Sequence, residues 1–223
     1  MVIKMILALF CTAIISYLLG SCNSAIITVK LWKHEDIREK GSKNAGLTNT
    51  LRCYGKGPAL VTLIGDLSKG IISVLLSILV FRLFFGNTID SRFVGYIAGF
   101  FAIIGHIFPI YYGFKGGKGI LVSSSILIVI DPLTFCIVIP FFALVLFITR
   151  YVSVASISSA VAYPIITFCT QYFIQHIPLD RVILHTVLVI ATSILLIYMH
   201  RTNIQRLKAG TENKFGSKKR KEE

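Results

Sequence analysis

Between Gly105 and Gly119 the chain reads GHIFPIYYGFKGGKG, and after Tyr112 this stretch sets four glycines around Lys115 and Lys118. Glycine removes the Cβ that would keep an anion from the backbone, and consecutive N–H groups in such a turn can form an anion-binding concavity. A helix starting near Gly119 adds its positive end beside Lys118. That is chemistry for holding phosphate, with Lys115, Gly116, Gly117 and Lys118 as ligands. The other reading is a basic connector at a lipid headgroup boundary. The spacing does not match the G-x-x-x-x-G-K-[ST] phosphate loop, and no strand precedes it.

A second polar region, DIREKGSKNAGLTNTLRCYGKG, runs from Asp36 to Gly57. Ser42, Asn44, Thr48 and Asn49 supply hydroxyls and amides on a flexible backbone, and Arg52 can make a two-pronged contact with phosphate oxygens. A solvated loop with helix caps at Ser42 or Thr48 is the alternative. Asp66 and Lys69 stand inside an apolar run, one helical turn apart, where an unpaired charge costs about 2.5–3.5 kcal/mol. They therefore pair or face a polar cavity, and a structural ion pair is the favoured reading. His106 lies within the next apolar run, as either a buried hydrogen-bonding group or a site residue. Ser153 and Ser156 are one turn apart in RYVSVASISSA, and small-residue helix packing explains them as readily as ligand binding does. His200 and Asn203, at i and i+3, share a helix face where the last apolar run ends.

The elements that position these residues are apolar helices. With 55% hydrophobic and 15% charged residues and mean hydropathy +0.77, the 223-residue chain is a polytopic membrane protein. Apolar segments run over Met5–Leu31, Pro58–Phe85, Phe93–Tyr112, Ile120–Ile130, Leu133–Thr149, Val152–Gln175 and Val182–Met199. The reading is all-α, with about seven transmembrane segments. The fourth segment would be only about 17 Å long as a helix, a partial or tilted span beside a ~30 Å hydrocarbon core. Five crossings also fit if Ile120–Thr149 forms one hairpin. The five cysteines show no CxxC spacing and read as membrane-packing residues, so neither a metal site nor a disulfide framework is expected.

Lysine and arginine number 17 in one alternate set of connections, namely 33–56, 113–118, Arg150 and the tail after His200, against four in the other set. The richer set is cytoplasmic, which places the N-terminus outside and the C-terminus inside. All the polar clusters then converge on one membrane side. The net charge of +13 points to topology and anionic lipid, and no aromatic-interleaved basic face suggests nucleic acid. Residues 1–213 are read as a single integral membrane domain and 214–223 as a basic cytoplasmic tail. Within that tail, Lys218–Glu223 is read as a disordered contact for anionic lipid.

Five stretches taken in order carry a resemblance. They are GSxN...TN..R at 41–52, DLSKG at 66–70, the GHIFPIYYGFKGGKG core, RYVSxAS at 150–156 and the HRxNIxRLxxGxE tail. Together they resemble the bacterial acyl-phosphate:glycerol-3-phosphate acyltransferase family (PlsY) over nearly the whole chain. The pattern departs at Lys43, where the family usually has glycine, at Leu47, where alanine is usual, and at Asn23-Ser24-Ala25, where Pro-Phe-Gly-like residues are usual.

The resemblance implies an enzyme of the bacterial inner membrane, with its active site on the cytoplasmic side. It would move a fatty acyl group from acyl phosphate to the 1-hydroxyl of glycerol 3-phosphate, giving lysophosphatidate and phosphate without a cofactor. Its partners would be those two substrates, membrane lipid and, functionally, the enzyme that supplies acyl phosphate. Ser42, Asn44 and their backbone neighbours would hold the acyl-phosphate headgroup, with Thr48 and Asn49 in the same binding loop. Arg52, Lys118, His200, Asn203 and Ser153 would hold glycerol 3-phosphate. The catalytic candidates are His106, Lys118 and His200. The hydroxyl proton passes to a substrate phosphate oxygen, to His106 or to His200, and no Ser-His-Asp triad is expected.

An anion transporter and a noncatalytic lipid-binding scaffold are the competing classes. The first lacks a glycine-rich break near the external loops to support alternating access, and the second leaves Arg52, Lys118 and the His200/Asn203 pair without work. The cation asymmetry sets a direct test. With native cysteines replaced, single cysteines at positions 45, 115 and 214 are expected to label from the cytoplasm and one at 88 from outside. An external label at 45 would remove the convergence of the polar clusters.

Overall fold

The computed structural model describes residues 2–86 and 88–216, and the expectation for Lys218–Glu223 lies outside them. The helices are α1 (Val2–Ser21), α2 (Ser24–Lys33), α3 (Leu47–Tyr54), α4 (Lys56–Phe85), α5 (Ser91–Ile107), α6 (Ile120–Ile130), α7 (Pro132–Thr149), α8 (Val152–Cys169), α9 (Leu179–Met199) and α10 (Arg201–Lys208). Among the described residues all regular structure is helical, as expected. Six helices or helix pairs are long and apolar enough to cross a membrane, with α6 a shorter apolar helix. The six long spans and α6 account for the seven apolar segments, with the fourth the short one. Termini on opposite sides would then require α6 and the extended stretch before it to complete an odd crossing.

Residues up to Pro132 and residues from Leu133 form two compact units within the expected 1–213 domain. In the first unit the single long run Met5–Leu31 is broken at Cys22–Asn23 into α1 and α2. Asn23 makes the break a helix start, because its Oδ1 accepts from the Ile26 N–H at 3.1 Å and caps α2. Its Nδ2 donates to the Ala45 carbonyl at 3.3 Å, which ties the break to the first loop. The polar residues at the end of α1 serve close packing. A Cβ at Gly20 would run into the Ala102 backbone, and one at Gly105 into the Tyr17 carbonyl and Ser21 nitrogen. α1 and α5 therefore meet backbone to backbone, as small residues permit in helix pairs.

The short helix α6 is interior to the first unit. Its Val122, Ser123, Ser125, Ile126, Leu127 and Ile130 are buried, and Gly70, Gly95 and Gly99 of α4 and α5 let it approach. In the second unit α8 packs on α9, and α10 follows α9 after a break at His200. The basic tail does not begin free at 214. The Phe215 N–H donates to the Arg150 carbonyl at 2.6 Å, and Lys214 lies over the Tyr151 ring. Ala45 is fully buried, so the exposed neighbour Lys43 is the better labelling position on that loop.

The α1–α5 contact generates a stability prediction. Gly105→Ala forces a methyl into backbone and should destabilise by about 1–3 kcal/mol, the usual cost of overpacking. Gly57→Ala, whose Cβ meets only the Trp32 ring at 3.4 Å, should shift stability by no more than about 0.5 kcal/mol. Thermal unfolding in detergent micelles checks the pair, and equal shifts would contradict the close approach.

Candidate functional site

The first unit builds its polar face from two loops and a buried charge cluster. The loop between α2 and α3 is drawn tight by Asn49. Its Oδ1 accepts from the Ser42 N–H at 2.9 Å and from Cys53 Sγ, while its Nδ2 donates to the carbonyls of Ile37 and Lys40. Asn49 is 1% exposed, so this amide shapes the loop and has no capacity left for a ligand. That corrects the expectation that Asn49 touches substrate. Neither Ser42 nor Thr48 caps a helix, because the residue before α3 is Gly46 and no side chain caps it.

The side chains of Ser42, Asn44, Thr48 and Arg52 are half-buried and make no hydrogen bond or ion pair among the described residues. Thr48 and Arg52 are one turn apart on α3, on a different face from Asn49 and Cys53, which point to Gly41. Where the loop turns, Gly41 has φ +60° and Lys43 has φ +59°, both in the left-handed region. Glycine would adopt this conformation at position 43 without a steric cost. A Cβ in that region costs about 1–2 kcal/mol.

The glycine stretch behaves differently from the expected open cradle. The Gly116 and Gly117 N–H groups donate to the carbonyls of Ile107 and His106 at 3.0 and 3.1 Å, so neither is available to an anion. The glycines are needed for approach instead. A Cβ at Gly116 would overlap the His106 carbonyl, and one at Gly117 would overlap His106 Nε2 and crowd the Ala45 carbonyl. The open donors lie one step later. Gly119, with φ +86°, precedes α6, which no side chain caps, so the first N–H groups of α6 have no side-chain partner, and Lys118 beside them is half-buried. Lys115 is exposed, and its carbonyl accepts from Arg38.

Arg38 was not among the expected site residues. Its Nη1 donates to the carbonyls of Tyr112 at 2.6 Å and Lys115 at 3.3 Å, clasping the glycine stretch to the first loop. Asp36 orients it through Nε and Nη2, and the Arg38 guanidinium hydrogen-bonded to it holds the Asp36 carboxyl below the usual carboxylate range. Behind the loops, Lys69 Nζ sits 2.9 Å from Asp66 Oδ1 and 2.8 Å from His106 Nδ1, and donates to the Cys22 carbonyl at 3.1 Å. The favoured ion pair is present, and His106 belongs to it.

In the second unit Ser153, Asn203 and Arg206 converge on one carboxylate. Ser153 Oγ and Asn203 Nδ2 donate to Glu212 Oε1 at 2.8 and 2.7 Å, and Arg206 Nε to Oε2 at 2.6 Å. Glu212 was visible only as the last letter of the tail pattern, with no role assigned to it. Ser156 turns back to the Val152 carbonyl, a within-helix bond. His200 is 3% exposed, and its Nδ1 donates to the Leu196 carbonyl at 2.8 Å, which fixes the proton on that nitrogen.

A family model described as glycerol-3-phosphate acyltransferase matches residues 10–210. A glycerol-3-phosphate acyltransferase of Shouchella clausii is 41% identical over 215 residues, covering 96% of this chain and 99% of that protein. One from Coxiella burnetii is also 41% identical, over 211 residues, covering 93% and 98%. Among solved structures, PlsY, an integral membrane glycerol 3-phosphate acyltransferase, aligns in its glycerol 3-phosphate form with TM-score 0.78 and 32% identity, over 94% of this chain and 96% of that one. Its lysophosphatidic acid form aligns with TM-score 0.75 and 31% identity, over 94% and 95%.

The Glu212 hub carries a pH-dependent prediction. Burial alone would raise its carboxyl, but the hydrogen bonds from Asn203, Arg206 and Ser153 outweigh burial and hold it below its ordinary value. A depressed native value means stability that is present above the unfolded value, about 4.3, and lost as pH falls through the lower native one. Glu212→Gln should therefore unfold more easily than wild type by about 1–3 kcal/mol at pH 7. The gap should close in acid below the ordinary glutamate range. A gap unchanged down to the acid limit of folding would show that the carboxylate is not the acceptor that matters.

Proposed function

This chain belongs to the glycerol-3-phosphate acyltransferase family and is an integral membrane acyltransferase; from that premise we propose that its acyl donor is acyl phosphate and its acceptor the 1-hydroxyl of glycerol 3-phosphate. The products are lysophosphatidate and inorganic phosphate. The two PlsY structures, in glycerol 3-phosphate and lysophosphatidic acid forms, support this acceptor and this product. The enzyme works at the cytoplasmic face of the bacterial inner membrane, beside the enzyme that supplies acyl phosphate. The 17 cations of the richer set of connections favour that side.

The carrying observation is the division of polar groups in the first unit. Asn49, Arg38 and Asp36 are spent on backbone and on each other, whereas Ser42, Asn44, Thr48 and Arg52 are uncommitted beside the uncapped start of α3. A loop tightened so thoroughly, yet leaving these four unpaired, suits an anionic ligand. Ser42, Asn44 and the adjacent backbone are assigned to the acyl-phosphate headgroup. Arg52, and Lys118 at the start of α6, are assigned to phosphate of glycerol 3-phosphate. Within the second unit Glu212 holds Ser153 and Asn203 in place, and these with His200 are the polar groups that the family resemblance implies for ligand binding.

In the reaction the 1-hydroxyl oxygen bonds to the acyl carbonyl carbon, the carbon–oxygen bond to phosphate breaks, and phosphate leaves with the electron pair. The hydroxyl proton passes to a phosphate oxygen or to His200. Phosphate is already a good leaving group, so positioning and charge stabilisation supply most of the catalysis. Acyl-CoA would need an adenine and pantetheine site, for which the short loops carry no element.

Purified protein given acyl phosphate and glycerol 3-phosphate should release phosphate and lysophosphatidate one for one, and acyl-CoA should not replace the donor. Equal turnover of acyl-CoA without acyl phosphate formation would exclude the donor assignment. Arg52→Ala and Lys118→Ala should each lose about 2–4 kcal/mol of transition-state stabilisation, roughly 30- to 1000-fold in rate. Truncation after Phe215 preserves the Phe215–Arg150 bond and should leave turnover intact.

A further inference from the structure

Lys69 is 6% exposed and His106 is 3% exposed. An ammonium has three donors and no acceptor. Here the three neighbours of Lys69 Nζ are Asp66 Oδ1 at 2.9 Å, the Cys22 carbonyl at 3.1 Å and His106 Nδ1 at 2.8 Å. The carboxylate and the carbonyl only accept. The third neighbour must accept as well, so His106 Nδ1 carries the lone pair. The ring proton then sits on Nε2.

That nitrogen has no hydrogen-bond partner among the described residues, and it is aimed between the two loops. A Cβ on the buried Gly117 would overlap Nε2 and come within 2.7 Å of the Ala45 carbonyl, so Gly117 keeps this side of the ring clear. The backbone on each side is pinned. Gly117 N–H donates to the His106 carbonyl, and the Ala45 carbonyl accepts from Asn23 Nδ2. A ring donor held this firmly, with no acceptor of its own in the surrounding backbone, is placed to serve an acceptor that enters between the loops.

We infer that Lys69 fixes His106 as the Nε2-protonated tautomer, and that His106 donates this hydrogen bond to an anionic oxygen of the acyl-phosphate substrate instead of acting as the base. Lys69 is a positioning residue, acting through the ring. The inference rests on the reading of acyl phosphate as donor for its ligand, but its tautomer half stands apart from that reading. It also separates the two histidines. His200 is protonated on Nδ1 by its bond to Leu196, the opposite tautomer.

The test is ring-nitrogen NMR on the full chain carrying 15N-labelled histidine, with the His106 signals identified by their loss in His106→Gln. At pH 7 wild type should show a bare Nδ1 and a protonated Nε2, and the Nε2–H signal should shift on addition of a non-transferable acyl phosphonate. The double variant Asp66→Asn/Lys69→Met, which removes both charges so that neither is left alone, should show mixed tautomers. A bare Nε2, a fully protonated ring or an Nε2–H signal indifferent to the phosphonate would overturn the inference. In turnover, His106→Gln can still accept from Lys69 and donate onward, so it should stay within about tenfold of wild type while His106→Leu falls by about 100-fold or more. Equal loss in the two variants would point to a base and defeat the donor role. Absence of acyl-phosphate turnover in wild type would instead count against the donor substrate, and the tautomer measurement would still decide the role of Lys69.

Discussion

The ammonium of Lys69 is the charge around which the first unit is arranged. Inside an apolar helix it can persist only where its donors are all answered, since an unpaired charge at such depth costs about 2.5–3.5 kcal/mol. Asp66 answers from the same helix, His106 from the end of α5, and Cys22 from the break between α1 and α2. The carbonyl at that break has lost its helical partner and gains a strong one. One side chain therefore holds three helices in register, and through the His106 carbonyl it also holds Gly117.

Glycine is used here mainly to bring backbones and rings together. Gly20 and Gly105 let α1 and α5 touch, Gly70, Gly95 and Gly99 admit α6, and Gly116 and Gly117 lay the chain against His106. In an apolar surrounding, where burial against lipid gains little, such close contact and internal hydrogen bonding supply the cohesion. The same packing spends the N–H groups of Gly116 and Gly117. The start of α6, one step later, has no side-chain cap and carries the positive end of the helix dipole.

Both units use a carboxylate to fix other polar side chains in place. Asp36 holds Arg38, which clasps the glycine stretch through two carbonyls. Glu212 gathers Ser153, Asn203 and Arg206. Such second partners fix side chains whose free rotation would otherwise weaken any contact they make. Catalysis by positioning depends on that fixity more than on a reactive nucleophile.

Composition, apolar run length and the ordered motifs were enough to determine a helical membrane acyltransferase, because hydropathy is summed along the chain and the motifs lie in contiguous stretches. Ser42, Asn44, Arg52, Lys118, Ser153, His200 and Asn203 were legible as polar or cationic groups grouped near apolar boundaries, and the Asp66–Lys69 pair as charges one turn apart. Tertiary structure alone decided which of the polar groups were already spent. Asn49 looks like Asn44 in sequence, yet its amide closes the loop upon itself. Arg38 looks like an ordinary loop cation, yet it reaches carbonyls more than seventy residues away. The break at Cys22–Asn23 lies within a long apolar run, and beyond the local cap by Asn23 it is held by α4 and by Ala45. A hydrogen bond is a relation between two groups, and when its partners are far apart in the chain neither residue type nor local spacing records it.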